Sequence, residues 1–241
     1  MLIPNIKVLP NLQAIAAEAA DAIVAVAGEA IDQRERFSIV LAGGSTPKAL
    51  YELLASEPYS RRIDWSRVEV YFGDERCVPP DHPDSNYRMA RIALLSEVPI
   101  PGDNIYRMRG EIEPQAAAIE YGMLLKEHFG EGGPDLTLLG MGDDGHTASL
   151  FPGTEALKEN KHRCVAMFVD KFKSWRITTT PVFLNRSGQV IVMVAGAGKA
   201  ARVEEALQGD PDSPSLPIQS ISPQSGKMTW LLDAAAAGMS E

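Results

Sequence analysis

Four short apolar segments, each ending in glycine and polar residues, constrain the fold of this chain more than any other feature. They are contained in FSIVLAGGST, VEVYFGDER, DLTLLGMGDDGH and QVIVMVAGAGK. Their apolar residues do not alternate with polar ones, and helical patterns lie between them. Such runs are typical of strands that are buried on both faces of a parallel sheet. The sequence therefore predicts an α/β fold with three layers, a mostly parallel, Rossmann-like sheet with helices on both faces.

Length and composition favour a single domain over residues 1–241, because a chain that is 45% hydrophobic can bury a large core. The segment AIAAEAADAIVAVAGEA predicts an amphipathic helix, since Glu18 and Asp21 interrupt it. CVAMFV and RITTTPVFLN predict further strands, the second broken at Pro181. The segment GDPDSPSLPIQSISPQSG predicts a long surface loop.

Charge and cysteine content exclude several classes of protein. The formal net charge is −9 and no block of Lys or Arg stands out, which argues against nucleic acid or an anionic membrane as a partner. The two cysteines cannot build a disulfide framework, and no Cys/His spacing suggests zinc. No apolar run approaches the length of a membrane span. We expect a reduced, cytoplasmic protein with no metal.

The turns GGST, GDER, GMGDDGH and GAGK are predicted to line one crevice, because ligands of such sheets bind outside the carboxyl ends of the strands. Pro47, which follows GGST, fits the first position of a helix, with Ser45 or Thr46 as its cap. Backbone N–H groups and hydroxyls at a helix start favour an anion such as phosphate. A tight turn with an ordinary cap explains the same residues equally well.

Two basic residues lie in these turns. Arg76 in GDER suits bidentate phosphate binding, although an exposed salt-bridge cluster is the default explanation of GDER. Lys199 in GAGKAA opposes the dipole of the helix it begins, which argues for an anionic ligand against a merely solvated lysine. The spacing of a nucleotide P-loop is absent. GMGDDG and GAGKAA both match the dinucleotide pattern, but Asp143 and Asp144 would repel a pyrophosphate.

His146 is the candidate general base. A lone histidine is usually a packed or surface residue, but one in a glycine-rich loop after a strand has a stronger claim to chemistry. A histidine is largely neutral at pH 7 and can accept a proton from water. Asp144, two residues earlier, could orient the ring. No GxSxG elbow or Cys/His pair supports covalent catalysis, so water activated by a base is the simpler mechanism.

The chain resembles the 6-phosphogluconolactonase family over nearly its whole length. The resemblance is carried by LAGGSTPKALYELLA, YFGDERCVPPDHPDSNYRMA, DLTLLGMGDDGHTASLFPGT, WRITTT and WLLDAAA. It implies hydrolysis of 6-phospho-D-glucono-1,5-lactone to 6-phosphogluconate, without a cofactor or an essential metal. His146 would be the base, Asp144 its orienter, and Asp74 would contact sugar hydroxyls or hold Arg76. Phosphate binding would fall to Gly44, Ser45, Thr46, Arg76, Arg176 and Lys199.

One segment departs from the family pattern. Many members carry a stretch similar to PKPPPxRIT, where this chain reads DKFKSWRIT from Asp170 to Thr178. Lys171 matches the family lysine and Arg176 the family arginine, but the stiffening prolines are missing. From this match Lys171 is expected to bind substrate. Because the prolines are missing, the loop is expected to be more mobile, and Lys173 is the alternative. The remaining histidines, His82, His128 and His162, and Asp143 are expected to be loop or surface residues.

Two other functions remain open. Glucosamine-6-phosphate deaminase/isomerase shares the fold and the DGH turn, but there the following segment resembles HxAFNEP and the earlier loop reads MDEY. Here Phe151 stands in place of that glutamate and the earlier loop is GDER, so an isomerase would lack a carboxylate. The second alternative is a non-catalytic module that senses sugar phosphates, although no basic helix-turn-helix appears.

Overall fold

The four apolar segments are strands with helices between them, as the sequence predicts. The computed structural model describes residues 5–209, 215–224 and 227–239. Within these ranges the strands are β1 (Asn5–Leu9), β2 (Phe37–Leu41), β3 (Val68–Phe72), β4 (Asp74–Arg76), β5 (Leu136–Gly140), β6 (Cys164–Val169), β7 (Ser174–Thr179), β8 (Gln189–Val194) and β9 (Lys227–Asp233). The α-helices are α1 (Leu12–Arg34), α2 (Ser45–Ala55), α3 (Asn86–Ala90), α4 (Pro114–Phe129), α5 (Pro181–Leu184) and α6 (Ala200–Gln208).

A six-stranded sheet forms the middle layer, in the order β1-β9-β8-β5-β2-β3. Every pair in it is parallel. Successive residues of a strand point to opposite faces, so Ile191 packs in the core on the side of α1 and α2, whereas Val190 and Val192 pack in the core on the side of α4. Burial on both faces explains the unalternating apolar runs. The predicted fold class, a single-domain three-layer α/β fold, is confirmed; the extension of the domain over all of residues 1–241 stays a prediction.

CVAMFV and RITTT are strands, as predicted, but they lie outside the parallel sheet. β4, β7 and β6 form a separate antiparallel sheet in the order β4-β7-β6. Pro181 does not interrupt a strand, because β7 ends at Thr179 and Pro181 begins the short helix α5. A proline is well suited to the first position of a helix, where its missing N–H costs nothing.

The order of the strands places the predicted turns together. The chain continues from β2 to β3 on one side, whereas β5 lies on the other side of β2. At such a switch point the loops after neighbouring strands diverge and leave a crevice between them. GGST follows β2 and GMGDDGH follows β5, so these two turns flank the crevice.

Two further local predictions are wrong. α2 begins at Ser45 with Gly44 as its cap, so Pro47 is the third residue of the helix instead of the first. The described part of the proline-rich segment is not only a surface loop, since Leu216, Ile218 and Ile221 are buried, the last two in the core on the side of α4. Residues 210–214 and 225–226 of that segment lie outside the described residues. None of the described helices is long and apolar enough to cross a bilayer.

Candidate active site

A cavity of about 290 Å³ opens at the carboxyl ends of the central strands. Its volume is close to the lower limit for small-molecule sites, roughly 300–1,000 Å³. Residues of all four predicted turns line it, and they include Gly44, Ser45, Thr46, Asp74, Arg76, His146 and Lys199. The structure therefore brings most of the predicted site residues together from distant parts of the sequence.

The GGST turn is held by a tyrosine from the helix that follows it. The Tyr51 hydroxyl accepts a hydrogen bond from the Ala42 N–H at 3.0 Å and donates one to the Ala42 carbonyl at 2.8 Å. Gly44 then takes a φ of +103°, where a side chain would be strained. Because α2 begins at Ser45, the first N–H groups of the helix and the Ser45 and Thr46 hydroxyls lie at the cavity. This arrangement favours a bound anion.

Asn86 is a cavity residue that the sequence analysis did not identify. Its side-chain amide donates to the backbone carbonyl of Asp74 at 2.9 Å and to the carboxylate of Asp74 at 3.1 Å. Its Oδ1 lies so near Gly43 that a Cβ there would be 2.0 Å away. Glycine at position 43 therefore allows the close approach. The only signal in the sequence was an uncharged polar residue in the DSN triplet before a helix.

Asp74 is a mostly buried residue of the cavity wall, with 8% of its surface exposed. Its Oδ2 accepts a hydrogen bond from the Ser149 hydroxyl at 2.6 Å, and its Oδ1 accepts the one from Asn86. Arg76 instead donates to the backbone carbonyl of Asp84. The structure thus contradicts the expectation that Asp74 holds Arg76, because other partners occupy both groups. A contact between Asp74 and sugar hydroxyls stays a prediction.

Arg76 and Arg176 are paired residues in the register of β4 and β7. The Nε atoms of both side chains are buried without a hydrogen-bond partner among the described residues. Burial, followed by the nearby charge of Arg76, lowers the pKa of Arg176 from its ordinary value. Two neighbouring guanidinium groups with unused donors repel each other until an anion lies between or beside them. The unused donors of this pair therefore favour a bound anion beside it, and Arg76 itself lines the cavity.

His146 is held from two sides in the loop after β5. Its Nδ1 lies 2.5 Å from Oδ1 of Asp144. Its ring stacks on Phe151, with the centroids 4.3 Å apart and an angle of 29° between the planes. A Cβ on Gly142 would come within 2.0 Å of Nδ1, so only glycine at that position lets the imidazole pack against the loop. The predicted pairing of His146 with Asp144 is confirmed as a contact; its catalytic role stays a prediction.

The charge of Asp144 decides which imidazole nitrogen is available. Burial raises the pKa of Asp144, but hydrogen bonds from Lys171 and His146 outweigh burial and hold this pKa well below its ordinary value. An ionised carboxylate can only accept hydrogen bonds, so the neutral imidazole carries its proton on Nδ1. Nε2 then keeps its lone pair and can accept a proton from water.

Lys199 ends a short 3₁₀ helix, Ala197–Lys199, and lines the cavity. The GAGK turn is fixed by the Gly196 N–H, which donates to both oxygens of Asp233 at 3.0 Å. This contact fixes the turn to the end of β9, and it therefore restrains the backbone from which the Lys199 side chain extends.

Among the residues that the structure describes, one group could hold a metal ion. Asp143, Asp144 and His146 each offer a ligand atom, and these atoms lie within 4.8 Å of one another. Lys171 already donates to both carboxylates, at 3.2 Å to Asp143 and 2.9 Å to Asp144. Its ammonium supplies the positive charge that a cation would bring. The absence of a metal requirement stays a prediction.

The other histidines differ in their surroundings. His162 is exposed and bonds to Glu159, and His82 accepts a hydrogen bond from the Asp84 N–H in a loop, both as expected. His128 is not a simple surface residue. Its Nδ1 lies 2.7 Å from the Tyr71 hydroxyl, and its ring contacts Tyr106 edge to face at 4.5 Å. It packs in an aromatic cluster at the end of α4, because the apolar side of that helix continues to its last turn.

The family model described as "Glucosamine-6-phosphate isomerases/6-phosphogluconolactonase" matches residues 10–230. The chain belongs to this family. A relative from Nostoc sp. (strain PCC 7120 / SAG 25.82 / UTEX 2576), named 6-phosphogluconolactonase, is 42% identical over 238 residues, which cover 96% of each chain. The solved structure titled 6-phosphogluconolactonase from Trypanosoma cruzi has a TM-score of 0.87 at 29% identity, over 99% of this chain and 97% of that one.

A solved structure of a protein named for a different activity has the same fold. The structure of a monomeric glucosamine-6-phosphate deaminase has a TM-score of 0.84 at 19% identity, over 98% of this chain and 100% of that one. At this identity the comparison shows the fold alone. The choice between the two activities therefore depends on the residues at the cavity.

Two residues that the family resemblance assigned to substrate binding are not among those lining the cavity. Arg176 lies beside Arg76, and its guanidinium is 5.3 Å from the Phe172 ring centroid. Lys171 contacts Asp143 and Asp144 instead of the GGST side. Lys173, the alternative to Lys171, pairs with Asp170 at 3.0 Å and does not line the cavity either. The difference arises because the turn between β6 and β7 lies over the DGH loop, where carboxylates attract the lysine.

Proposed function

We propose that this chain hydrolyses 6-phospho-D-glucono-1,5-lactone to 6-phosphogluconate with water activated by His146. The observation that carries the proposal is the shared cavity, in which an Asp-oriented histidine and a set of cations and hydroxyls face one sugar-sized space. The 42% identity to a relative named 6-phosphogluconolactonase supports the same reaction. The reaction belongs to the oxidative pentose phosphate pathway.

In this mechanism the phosphate is bound by Ser45, Thr46, Arg76 and Lys199. A phosphate ester carries close to two negative charges, and an acidic protein needs local cations to bind it. Charge-assisted hydrogen bonds to such a group contribute about 1.5–3 kcal/mol each. Binding at this end of the cavity would direct the lactone ring toward the DGH loop.

His146 Nε2 then takes a proton from a water molecule as its oxygen attacks the lactone C1. The carbonyl oxygen carries the negative charge of the tetrahedral intermediate. When the intermediate collapses, the bond between C1 and the ring oxygen breaks, and the imidazolium returns its proton to that oxygen. Asp144 stabilises the imidazolium between these two transfers through the bond to Nδ1. No second base is required, and the products are a free hydroxyl and a carboxylic acid that ionises.

The residue that stacks on the proposed base argues against the deaminase alternative. Where the deaminase sequence has a glutamate for ring opening, this chain has Phe151, whose ring stacks on His146. Among the residues lining the cavity, Asp74 is the carboxylate, and it is occupied by Ser149 and Asn86. A lactonase does not need a further carboxylate, whereas an enzyme that moves protons between carbons does.

The test is to supply the chain with freshly generated 6-phosphogluconolactone and, separately, with glucosamine 6-phosphate. We expect lactone opening well above the spontaneous rate and no ammonia release. Unphosphorylated glucono-1,5-lactone is the control, and we expect it to react poorly because it lacks the phosphate. Ammonia release without lactone opening would assign the chain to the deaminases, and tight binding without turnover would indicate a sensing module.

The cellular setting is proposed from composition. The net charge of −9 and the two cysteines support a cytoplasmic protein without a nucleic-acid partner. No cofactor is required by the proposed reaction. These expectations stay predictions.

A further inference from the structure

The turn between β6 and β7, residues 170–173, contacts the proposed base through an ion pair. Lys171 donates to Oδ2 of Asp144 at 2.9 Å, while Oδ1 of the same carboxylate is 2.5 Å from Nδ1 of His146. Asp144 thus lies between a lysine and a histidine and uses one oxygen for each. Because both oxygens are occupied, the carboxylate is restrained against rotation, and the direction of its bond to Nδ1 is fixed.

The same turn contacts His146 by a second route. The Phe172 ring lies 5.7 Å from the ring of Phe151 in an edge-on arrangement. Phe151 in turn stacks on the imidazole at 4.3 Å. A ring stacked on one face limits the tilt of the imidazole, whereas the bond at Nδ1 limits its rotation within the plane. One turn therefore supports both contacts that define the orientation of Nε2.

We propose that Lys171 and Phe172 are positioning residues for the His146 base, Lys171 through Asp144 and Phe172 through Phe151, and that Lys171 is not a phosphate ligand. This inference rests on the proposed lactonase function. Neither residue touches the reacting atoms. Lys171 is about half exposed, and an exposed ion pair contributes little to folding stability. Its effect is expected in the chemical step, where a small misplacement of a catalytic group is costly.

Steady-state kinetics of Lys171→Met distinguish a positioning role of the lysine from a role as phosphate ligand. A positioning role predicts that kcat falls about tenfold while KM stays nearly unchanged, since the phosphate contacts are intact. A phosphate ligand would give the opposite result, a higher KM with kcat retained. Lys173→Met is the matched control in the same turn, because Lys173 pairs with Asp170. We expect the control to behave as wild type, and Lys171→Arg to restore part of the lost kcat.

Phe172→Leu tests the aromatic route. We expect kcat to fall by about two- to tenfold, the factor that corresponds to the loss of one aromatic contact. Phe168→Leu is the matched control, since Phe168 is also exposed on this hairpin but contacts Trp175 edge to face. Unchanged kcat in both Lys171→Met and Phe172→Leu would overturn the proposal, as would a rise in KM with kcat retained in Lys171→Met.

A readout on the ligand-free protein keeps the test independent of turnover. The chain has only four histidines, so the imidazole ¹⁵N and ring-proton signals of His146 can be assigned by substitution. We expect the Nδ1 proton of His146 to exchange slowly with water in wild type and in both control variants. It should exchange faster in Lys171→Met and Phe172→Leu. Wild type without lactonase activity would refute the proposed function, whereas equal exchange in all variants would refute the positioning role alone.

Discussion

His146→Gln is expected to lower kcat for lactone hydrolysis by roughly 10²- to 10⁴-fold, the usual contribution of a general base. Glutamine nearly preserves the volume of the side chain beside Phe151 but cannot accept and return a proton. Because His146 is not one of the proposed phosphate contacts, KM should change little. The measurement is the steady-state rate after subtraction of spontaneous hydrolysis.

The control for this variant is His162→Gln, since His162 is exposed and its ring bonds to Glu159. It should retain wild-type kcat. Binding of 6-phosphogluconate to His146→Gln, measured by calorimetry, should remain close to wild type if the fold and the phosphate contacts are preserved. Turnover within tenfold of wild type in His146→Gln would leave the lactonase function intact and show that another group is the base.

Arg76→Met is expected to reduce kcat/KM by roughly 10- to 100-fold, mostly through a higher KM. Arg76 lines the cavity, and its buried Nε has no partner among the described residues. Loss of charge-assisted hydrogen bonds to the phosphate removes about 1.5–3 kcal/mol of binding free energy. The KM for the phosphorylated lactone and the inhibition constant of inorganic phosphate should rise together, because both depend on the same contacts.

Arg91→Met is the matched control, as Arg91 is exposed at the end of α3 and does not line the cavity. Arg76→Lys distinguishes charge from geometry: it should recover only part of the affinity, because an ammonium cannot form the paired hydrogen bonds of a guanidinium. If Arg76→Met binds phosphate and substrate as wild type does, the anion site lies elsewhere and the orientation of the lactone proposed above is wrong.

The parallel sheet and the position of the site could be predicted because they depend on local patterns. A strand such as QVIVMV is apolar on both faces only when helices cover both sides of it. Once the sheet is parallel, all carboxyl ends lie along one edge, and the glycine-rich turns after β2, β5 and β8 must meet there. The cavity composed of these turns follows from that topology.

The antiparallel sheet could not be predicted in the same way. β7 ends in Ile177, Thr178 and Thr179, which are fully buried and look like any interior strand. The sequence of a strand does not indicate whether the neighbouring strand runs parallel or antiparallel to it. Here β7 pairs with β4, about a hundred residues earlier in the chain. The buried Leu216 and Ile218 were missed for a related reason, because prolines nearby suggested exposure while the contacts come from distant segments.

The partners of the charged site residues were the least predictable. Lys171 was assigned to substrate binding from its place in a family pattern, but its contacts in the structure are the two aspartates of the DGH loop. Asp74 was expected to pair with the nearest cation in sequence, yet Ser149, far along the chain, takes its Oδ2. Charged side chains take the partners that lie near them in three dimensions, and short-range spacing in the sequence does not contain this information.

The most direct measurement is a crystal structure of the chain with bound 6-phosphogluconate. One ligand molecule should span the cavity, with its phosphate bound by Ser45, Thr46, Arg76 and Lys199 and its C1 carboxylate within about 3 Å of His146 Nε2. A phosphate bound outside this cavity, or a C1 carboxylate directed away from His146, would contradict the claim that one hollow holds both the base and the phosphate contacts.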